Sequence, residues 1–166
     1  MIKEIRCAVP EERAALRELH RRSSLVWEED RAALTAHPEV FGVDRAAIDQ
    51  RRVRVAVAHD GELLGFSGVI YDGRGTCVLD DLFVDPDRFR HGVGSTLIED
   101  AVDRAIDAGN AEMTVIAHPR VLRFYEHTGF SSVGPAQTRF GPALLLRRGL
   151  ADGREARRST HGGAAS

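Results

Sequence analysis

Apolar residues along the chain change period several times, and each change marks a candidate element. Ile2 to Val9 predicts a short first strand. Pro10-Glu11-Glu12 suits the first turn of a helix, where proline loses no hydrogen bond and carboxylates face the positive end of the dipole. Ala15, Leu16 and Leu19 carry that helix on. Beyond Arg21-Arg22-Ser23-Ser24, helical stretches are expected around Glu28 to Leu34 and Asp44 to Arg52, with His37-Pro38 interrupting the chain between them.

Period two then takes over. Val53, Val55 and Val57 alternate with Arg54 and small alanines, Asp60-Gly61 stands where a two-residue hairpin turn belongs, and Glu62 to Tyr71 returns as the partner strand. A second turn, Asp72 to Gly75, leads into Thr76 to Val84 and completes an antiparallel meander of three strands. Val93, Leu97, Ile98, Ala101, Val102, Ala105 and Ile106 recur at helical spacing, and Gly109-Asn110 supplies a left-handed stop. Glu112 to Ala117 reads as a buried strand, Pro119 to Thr128 as a helix ended by Gly129-Phe130, and Phe140 to Arg147 as a last strand. From Ala151 onward the apolar period is lost, so residues 1–150 are expected to form a single domain and 151–166 a mobile tail. There is no internal repeat.

Composition narrows the function classes. The chain has 166 residues, 43% hydrophobic and 29% charged, which suits one globular domain rather than two or a disordered chain. A formal charge of -2 gives no overall pull toward nucleic acid or an anionic membrane. Cys7 and Cys77 form no C-x-x-C pair, and His20, His37, His59 and His127 have no spacing that joins them into a metal site. The start of the chain reaches charge at Lys3, so no signal core or spanning segment is expected and the reading is cytoplasmic, with no metal and no membrane or nucleic-acid partner.

The chemistry concentrates in LFVDPDRFRHGVGSTLIEDA, Leu82 to Ala101, where a strand runs through a proline loop into glycines that open an amphipathic helix. The first turn of a helix carries N–H groups without intrahelical acceptors and about half a positive charge, and glycines let a phosphate approach closely. A pyrophosphate fits such a junction. A Rossmann fingerprint would need glycine where Leu97 stands and a parallel strand-helix-strand unit, and a Walker loop would need Gly-Lys-Ser/Thr.

FRHGVG following LFVDP resembles motif A of the GCN5-related N-acetyltransferase (GNAT) superfamily, (Arg/Gln)-x-x-Gly-x-(Gly/Ala) after an apolar-x-Val-x-Pro strand end. Gly92 and Gly94 match, while Phe89 stands where the family usually has Arg or Gln. AHPRVLRFYEHTGF, Ala117 to Phe130, is similar to the family's Asn-x-x-Ala-x-x-Phe-Tyr-x-x-x-Gly-Phe: Phe124, Tyr125, Gly129 and Phe130 fall in register, with His118 and Val121 replacing Asn and Ala. The resemblance spans roughly Val53 to Phe130. It implies an α/β chain of α+β type, the GNAT fold, with a mostly antiparallel twisted sheet of about six to seven strands flanked by about four helices.

The activity implied is transfer of an acetyl group from acetyl-CoA to a primary amine of a small molecule or peptide, by direct attack in a ternary complex. The resemblance places Leu82, Phe83 and Val84 beside pantetheine, Phe89, Arg90, His91, Gly92, Val93, Gly94 and Ser95 around the diphosphate, and His118 and Tyr125 at the cofactor's other side. Tyr125 is then the general acid toward the departing thiolate. For a base, Asp80 and Asp81 occupy opposite faces of one strand, and Asp80, sharing its face with Val78, Leu82 and Val84, is preferred. Trp27, Glu28, Glu29 and Asp30 are candidates for the acceptor side. Two alternatives stay open: an acyl-CoA-binding module without turnover, and a protein N-acetyltransferase. Relatives commonly dimerise, and the apolar run Ala143 to Leu146 offers an edge for a homodimer.

Overall fold

A computed structural model describes residues 1–150. The tail expected from Ala151 lies outside the described residues. Seven strands form one sheet in the order β1-β2-β3-β4-β5-β7-β6. In chain order they are β1 (Ile2–Cys7), β2 (Val53–Ala58), β3 (Leu63–Tyr71), β4 (Thr76–Val84), β5 (Glu112–Ala117), β6 (Ser131–Thr138) and β7 (Gly141–Gly149). Five α-helices accompany them: α1 (Arg13–Ser24), α2 (Arg31–Ala36), α3 (Arg45–Asp49), α4 (Val93–Asp107) and α5 (Leu122–His127). The fold is α+β, as expected, with one α-helix more than the four anticipated. The described residues divide into two compact units, Met1–Val69 with Asp80–Asp100, and Ile70–Leu79 with 101–150.

In the first unit β2 pairs antiparallel with β1 and with β3. Alternation along β2 explains two cores. Val53, Val55 and Val57 pack with Leu16 and Leu19 of α1, Ile48 of α3 and Phe66. Ala56 and Ala58 join Leu64, Val93 and Leu97 on the other face. The helix expected at Pro10 begins as a 3₁₀ turn, Pro10–Glu12, and becomes α-helical at Arg13. Glu12 reaches back to the Val9 N–H at 2.9 Å and binds Arg6 at 2.7 Å, which fixes the entry into α1. The β2–β3 connection is a three-residue loop rather than a two-residue one. Ala58 donates to Glu62 O at 2.9 Å, and Gly61 takes φ +90°, the left-handed place in a type I turn with a bulge.

In the second unit β4 pairs parallel with β5 from Thr76 to Val78, β5 pairs antiparallel with β7, and β7 with β6. The stop read at Gly109-Asn110 is a Schellman motif: Gly109 donates to Ile106 O at 3.0 Å and Asn110 to Ala105 O at 2.9 Å. The helix expected from Pro119 again opens as a 3₁₀ turn, Pro119–Val121, before α5. β6 was not anticipated from sequence. It is an edge strand exposed along most of its length, so it carries no alternation, and its Pro135 is tolerated because an edge has N–H positions with no partner to lose. Among the described residues no helix is long and apolar enough to cross a membrane.

Candidate active site

The strand-to-helix junction belongs to the first unit and is built from the close approach of β3, β4 and α4. A Cβ on Gly65 would lie 2.8 Å from the Phe83 carbonyl oxygen, 3.1 Å from Leu97 Cδ1 and 3.2 Å from Val93 Cγ1. Only glycine lets the start of α4 settle on the strands at this height. β4 ends at Val84, and a 3₁₀ turn, Pro86–Arg88, follows with Asp85 as its cap, Oδ1 accepting from the Asp87 N–H at 2.9 Å.

The loop then runs through Phe89, exposed to solvent, and through two left-handed residues, Arg90 (φ 64°) and Gly92 (φ 80°), into α4. For Gly92 that conformation is free, while Arg90 adopts it against its own Cβ. Thr96 donates its N–H to Gly92 O at 3.0 Å and its hydroxyl to the same oxygen at 2.8 Å, closing the first turn. The N–H groups of Val93, Gly94 and Ser95 therefore have no acceptor within the helix. A Cβ on Gly92 would meet nothing within 4 Å, so the loop is open at the residue that leads into these donors. Donors, dipole and open loop together fit a diphosphate.

The two faces of β4 carry different chemistry. Leu82 and Val84 pack on the α4 side. Phe83 lies on the α1 side, where its ring stacks against His20 at a centroid distance of 3.8 Å and an angle of 31°. Asp81 shares that face, and a Cβ on Gly68 would sit 2.8 Å from its Oδ2. Burial, with Asp80 next to it, pushes the Asp81 carboxyl up to about 6, against a smaller opposing pull from Arg52. Asp80 is exposed. Strand alternation thus separates the pair as expected, but the carboxyl in a perturbed environment is Asp81.

His20 accepts the Gly42 N–H at Nδ1, 3.0 Å away, so its remaining hydrogen sits on Nε2. Desolvation lowers it to about 4, well below an ordinary histidine, and the ring is neutral at physiological pH. Nothing in the sequence marked His20. Gly65 and Gly68 had a legible signal, two glycines inside one strand, which means close approach of another group. Trp27 to Asp30 form the flank and body of a 3₁₀ turn, Glu28–Asp30, ahead of α2.

The second unit holds the other motif. Tyr125 lies on α5, 7% exposed, its ring edge-on to Phe124 (5.1 Å) and to Phe130 (5.5 Å). Burial raises its phenol, which stays protonated at neutral pH. Gly129 and Phe130 have a structural reason of their own. Gly129, at φ +91°, donates to Glu126 O at 3.1 Å and Phe130 to Tyr125 O at 3.0 Å, a second Schellman motif whose apolar contact is the Phe130–Tyr125 ring pair. His118 caps the turn before α5, Nδ1 accepting the Arg120 N–H at 3.1 Å.

Parallel pairing of β4 with β5, a glycine-opened helix after β4 and an antiparallel β6–β7 pair define the α+β fold. Residues 36–144 match the profile of the acetyltransferase (GNAT) domain, and the chain belongs to the GNAT superfamily. A search of curated proteins finds no match. Among solved structures, a GCN5-related N-acetyltransferase from Rhodopseudomonas palustris superposes with a TM-score of 0.73 at 20% identity, covering 90% of this chain and 98% of that one. An aminoglycoside 6'-N-acetyltransferase complexed with coenzyme A gives 0.67 at 18% identity over 89% and 97%. Nourseothricin acetyltransferase is 25% identical with a TM-score of 0.55, the overlap spanning 59% of this chain and 64% of that protein.

Proposed function

We propose that the protein is an acetyl-CoA-dependent N-acetyltransferase acting on a primary amine of a small molecule or peptide. The observation that carries this reading is the glycine-opened first turn of α4 at Gly92 to Ser95, whose N–H groups have no acceptor within the helix, in a chain of the GNAT superfamily. Coenzyme A is bound in the similar aminoglycoside 6'-N-acetyltransferase and in an N-acetyltransferase from Thermoplasma acidophilum, which supports a coenzyme A thioester as the donor.

Acetyl-CoA, when bound, supplies the activated acetyl group. The N–H groups of Val93, Gly94 and Ser95 bind its diphosphate, with Arg90 and His91 in the loop before them and Phe89 beside. Main-chain groups of Leu82, Phe83 and Val84 hold the pantetheine arm, and an N–H on this strand polarises the carbonyl under attack. Asp81 takes the base role in place of Asp80: a carboxyl held near 6 is ionised at neutral pH yet basic enough to accept a proton from an ammonium acceptor. Tyr125, kept protonated by burial, would be the proton donor to a departing thiolate, and His118 orders the turn ahead of it. An ammonium acceptor would lose two protons, one to Asp81 before attack and one as the amide forms; the second replaces the proton Tyr125 gives the sulfur, Asp81 returns the first to solvent, and no covalent enzyme adduct forms.

Release of free thiol from acetyl-CoA against a panel of amines tests the reading, with Tyr125→Phe as control. One observation favours a second reading, an acyl-CoA-binding module: Phe89, exposed, offers no side-chain hydrogen-bond donor where the family usually has Arg or Gln. Saturable coenzyme A binding with no turnover on any amine would select it.

A further inference from the structure

Arg22 stands in the last turn of α1, a helix that supplies none of the donors of the cradle. Its guanidinium nevertheless reaches the loop after β4 and grips Asp85 twice, Nη1 to Oδ2 at 2.8 Å and Nη2 to Oδ1 at 3.1 Å, with Asp87 Oδ2 at 3.4 Å from Nη2. The Asp85 side chain is only 6% exposed. A carboxylate that deep is stable only with a cation and further hydrogen bonds, and here Arg22 is the cation. The carboxylate has a further bond as well, Oδ1 accepting the Asp87 N–H at 2.9 Å, and the Asp85 backbone is fixed on both sides, its N–H donating to Leu64 O at 2.9 Å and its carbonyl accepting the Arg88 N–H at 2.8 Å.

The loop so fastened is the one that must hold Arg90 in a left-handed conformation unfavourable for a residue with a Cβ. Such a conformation persists only where the surroundings over-determine it. On its other side the loop is tied by Arg88 to Glu62 at 2.8 Å, an exposed pair worth little, so the half-buried Arg22–Asp85 pair is the stronger of the two fastenings. Two residues before Arg22, His20 stacks on Phe83, two residues before Asp85, so α1 meets the end of β4 at consecutive points.

We propose that Arg22 is a positioning residue for the cofactor: through Asp85 it holds the Asp85–Gly92 loop in the shape that aims the Val93, Gly94 and Ser95 N–H groups at a diphosphate. Arg22 thereby sets the affinity for coenzyme A without touching it. This inference rests on the acetyl-CoA reading above.

The test is calorimetric titration of coenzyme A into the full-length protein and its Arg22→Met, Arg22→Lys, Asp85→Asn and Arg22→Met/Asp85→Asn variants, with circular dichroism to establish folding. Asp85→Asn keeps an oxygen for the Asp87 N–H and removes the charge. Each single neutral variant should weaken binding on the order of tenfold, the double variant should be no weaker than either single, and Arg22→Lys should recover part of the loss. KM for acetyl-CoA should rise in parallel, while kcat stays within about threefold. Folded Arg22→Met binding coenzyme A as the wild type does, or losses that multiply in the double variant, would overturn the inference. If Asp85→Asn does not fold, the Arg22 pair of variants decides alone. A wild type that gives no heat with coenzyme A sinks the proposed function itself, a result distinguishable from an unchanged affinity in the variants.

Discussion

Asp81 combines two properties that pull in opposite directions. It is held over Gly68 in a desolvated place beside another carboxylate, which raises it to about 6 and makes it the better proton acceptor. The same environment disfavours its charged form at neutral pH. Asp81→Asn should therefore lower kcat/KM for any accepted amine by roughly 10² or more. The acidic limb of the wild-type pH–rate profile, falling below about 6, should vanish with it. The variant should also be more stable than wild type at pH 7, by about 2 kcal/mol in denaturant unfolding, because an ionised buried group has been removed. Asp80→Asn, at an exposed position, should leave both measurements nearly unchanged. Equal losses in the two variants would return the base role to Asp80. For Tyr125→Phe the expected outcome is a fall in kcat of about 10² with coenzyme A affinity retained, since only the proton donor is lost.

At the scale of elements, what local sequence sets was legible, while distant approach left a trace only where glycines interrupt a strand, at Gly65 and Gly68. β4 and β5 fall on their expected bounds, and α4 on its expected start, because alternation and helical period are strong there. Its stop at Gly109-Asn110 is a backbone arrangement that glycine alone announces. β6 escaped because neither of its faces is buried, so no pattern was imposed on its residues. The Arg22–Asp85 pair escaped for a different reason. The partners are 63 residues apart, and nothing at either position shows that the other exists. Tyr125, Gly129 and Phe130 were legible as a motif, although part of what the motif encodes is a helix stop. Gly129→Ala should show this: strain at φ +91° and a new Cβ 3.1 Å from Arg148 Nε should cost about 1–2 kcal/mol in thermal or urea unfolding. Gly65→Ala should cost more, about 2–3 kcal/mol, since its Cβ would meet a backbone oxygen at 2.8 Å that has no room to yield. It should also weaken coenzyme A binding by displacing the start of α4. A Gly65→Ala variant as stable as wild type would show that β3 and α4 do not need this contact.

For the molecule as a whole, two buried groups with large and opposite shifts, His20 and Asp81, contribute to the pH dependence of stability in nearly the same window. His20 is lowered from 6.5 to about 4, so unfolding takes up a proton between those values, and its contribution to stability, complete above 6.5, is lost as the pH falls through about 4. Asp81 is raised from 3.8 to about 6, so unfolding releases a proton in nearly the same window. Its contribution is complete below 3.8 and is lost as the pH rises through about 6. The shifts are similar in size and opposite in sign, and the wild type should show an almost flat stability between about pH 4 and 6 from this pair. Each substitution should expose the other group. Asp81→Asn should become steadily more stable as the pH is raised from about 4 to 6.5, because only His20 then responds. His20→Gln, an uncharged replacement able to accept the Gly42 N–H, should become less stable over the same rise because only Asp81 responds. Urea unfolding of the three proteins at half-unit pH intervals measures the slopes. Parallel profiles for the wild type and both variants would mean that neither group carries the shift its surroundings impose, and the base role of Asp81 would lose its physical ground with it.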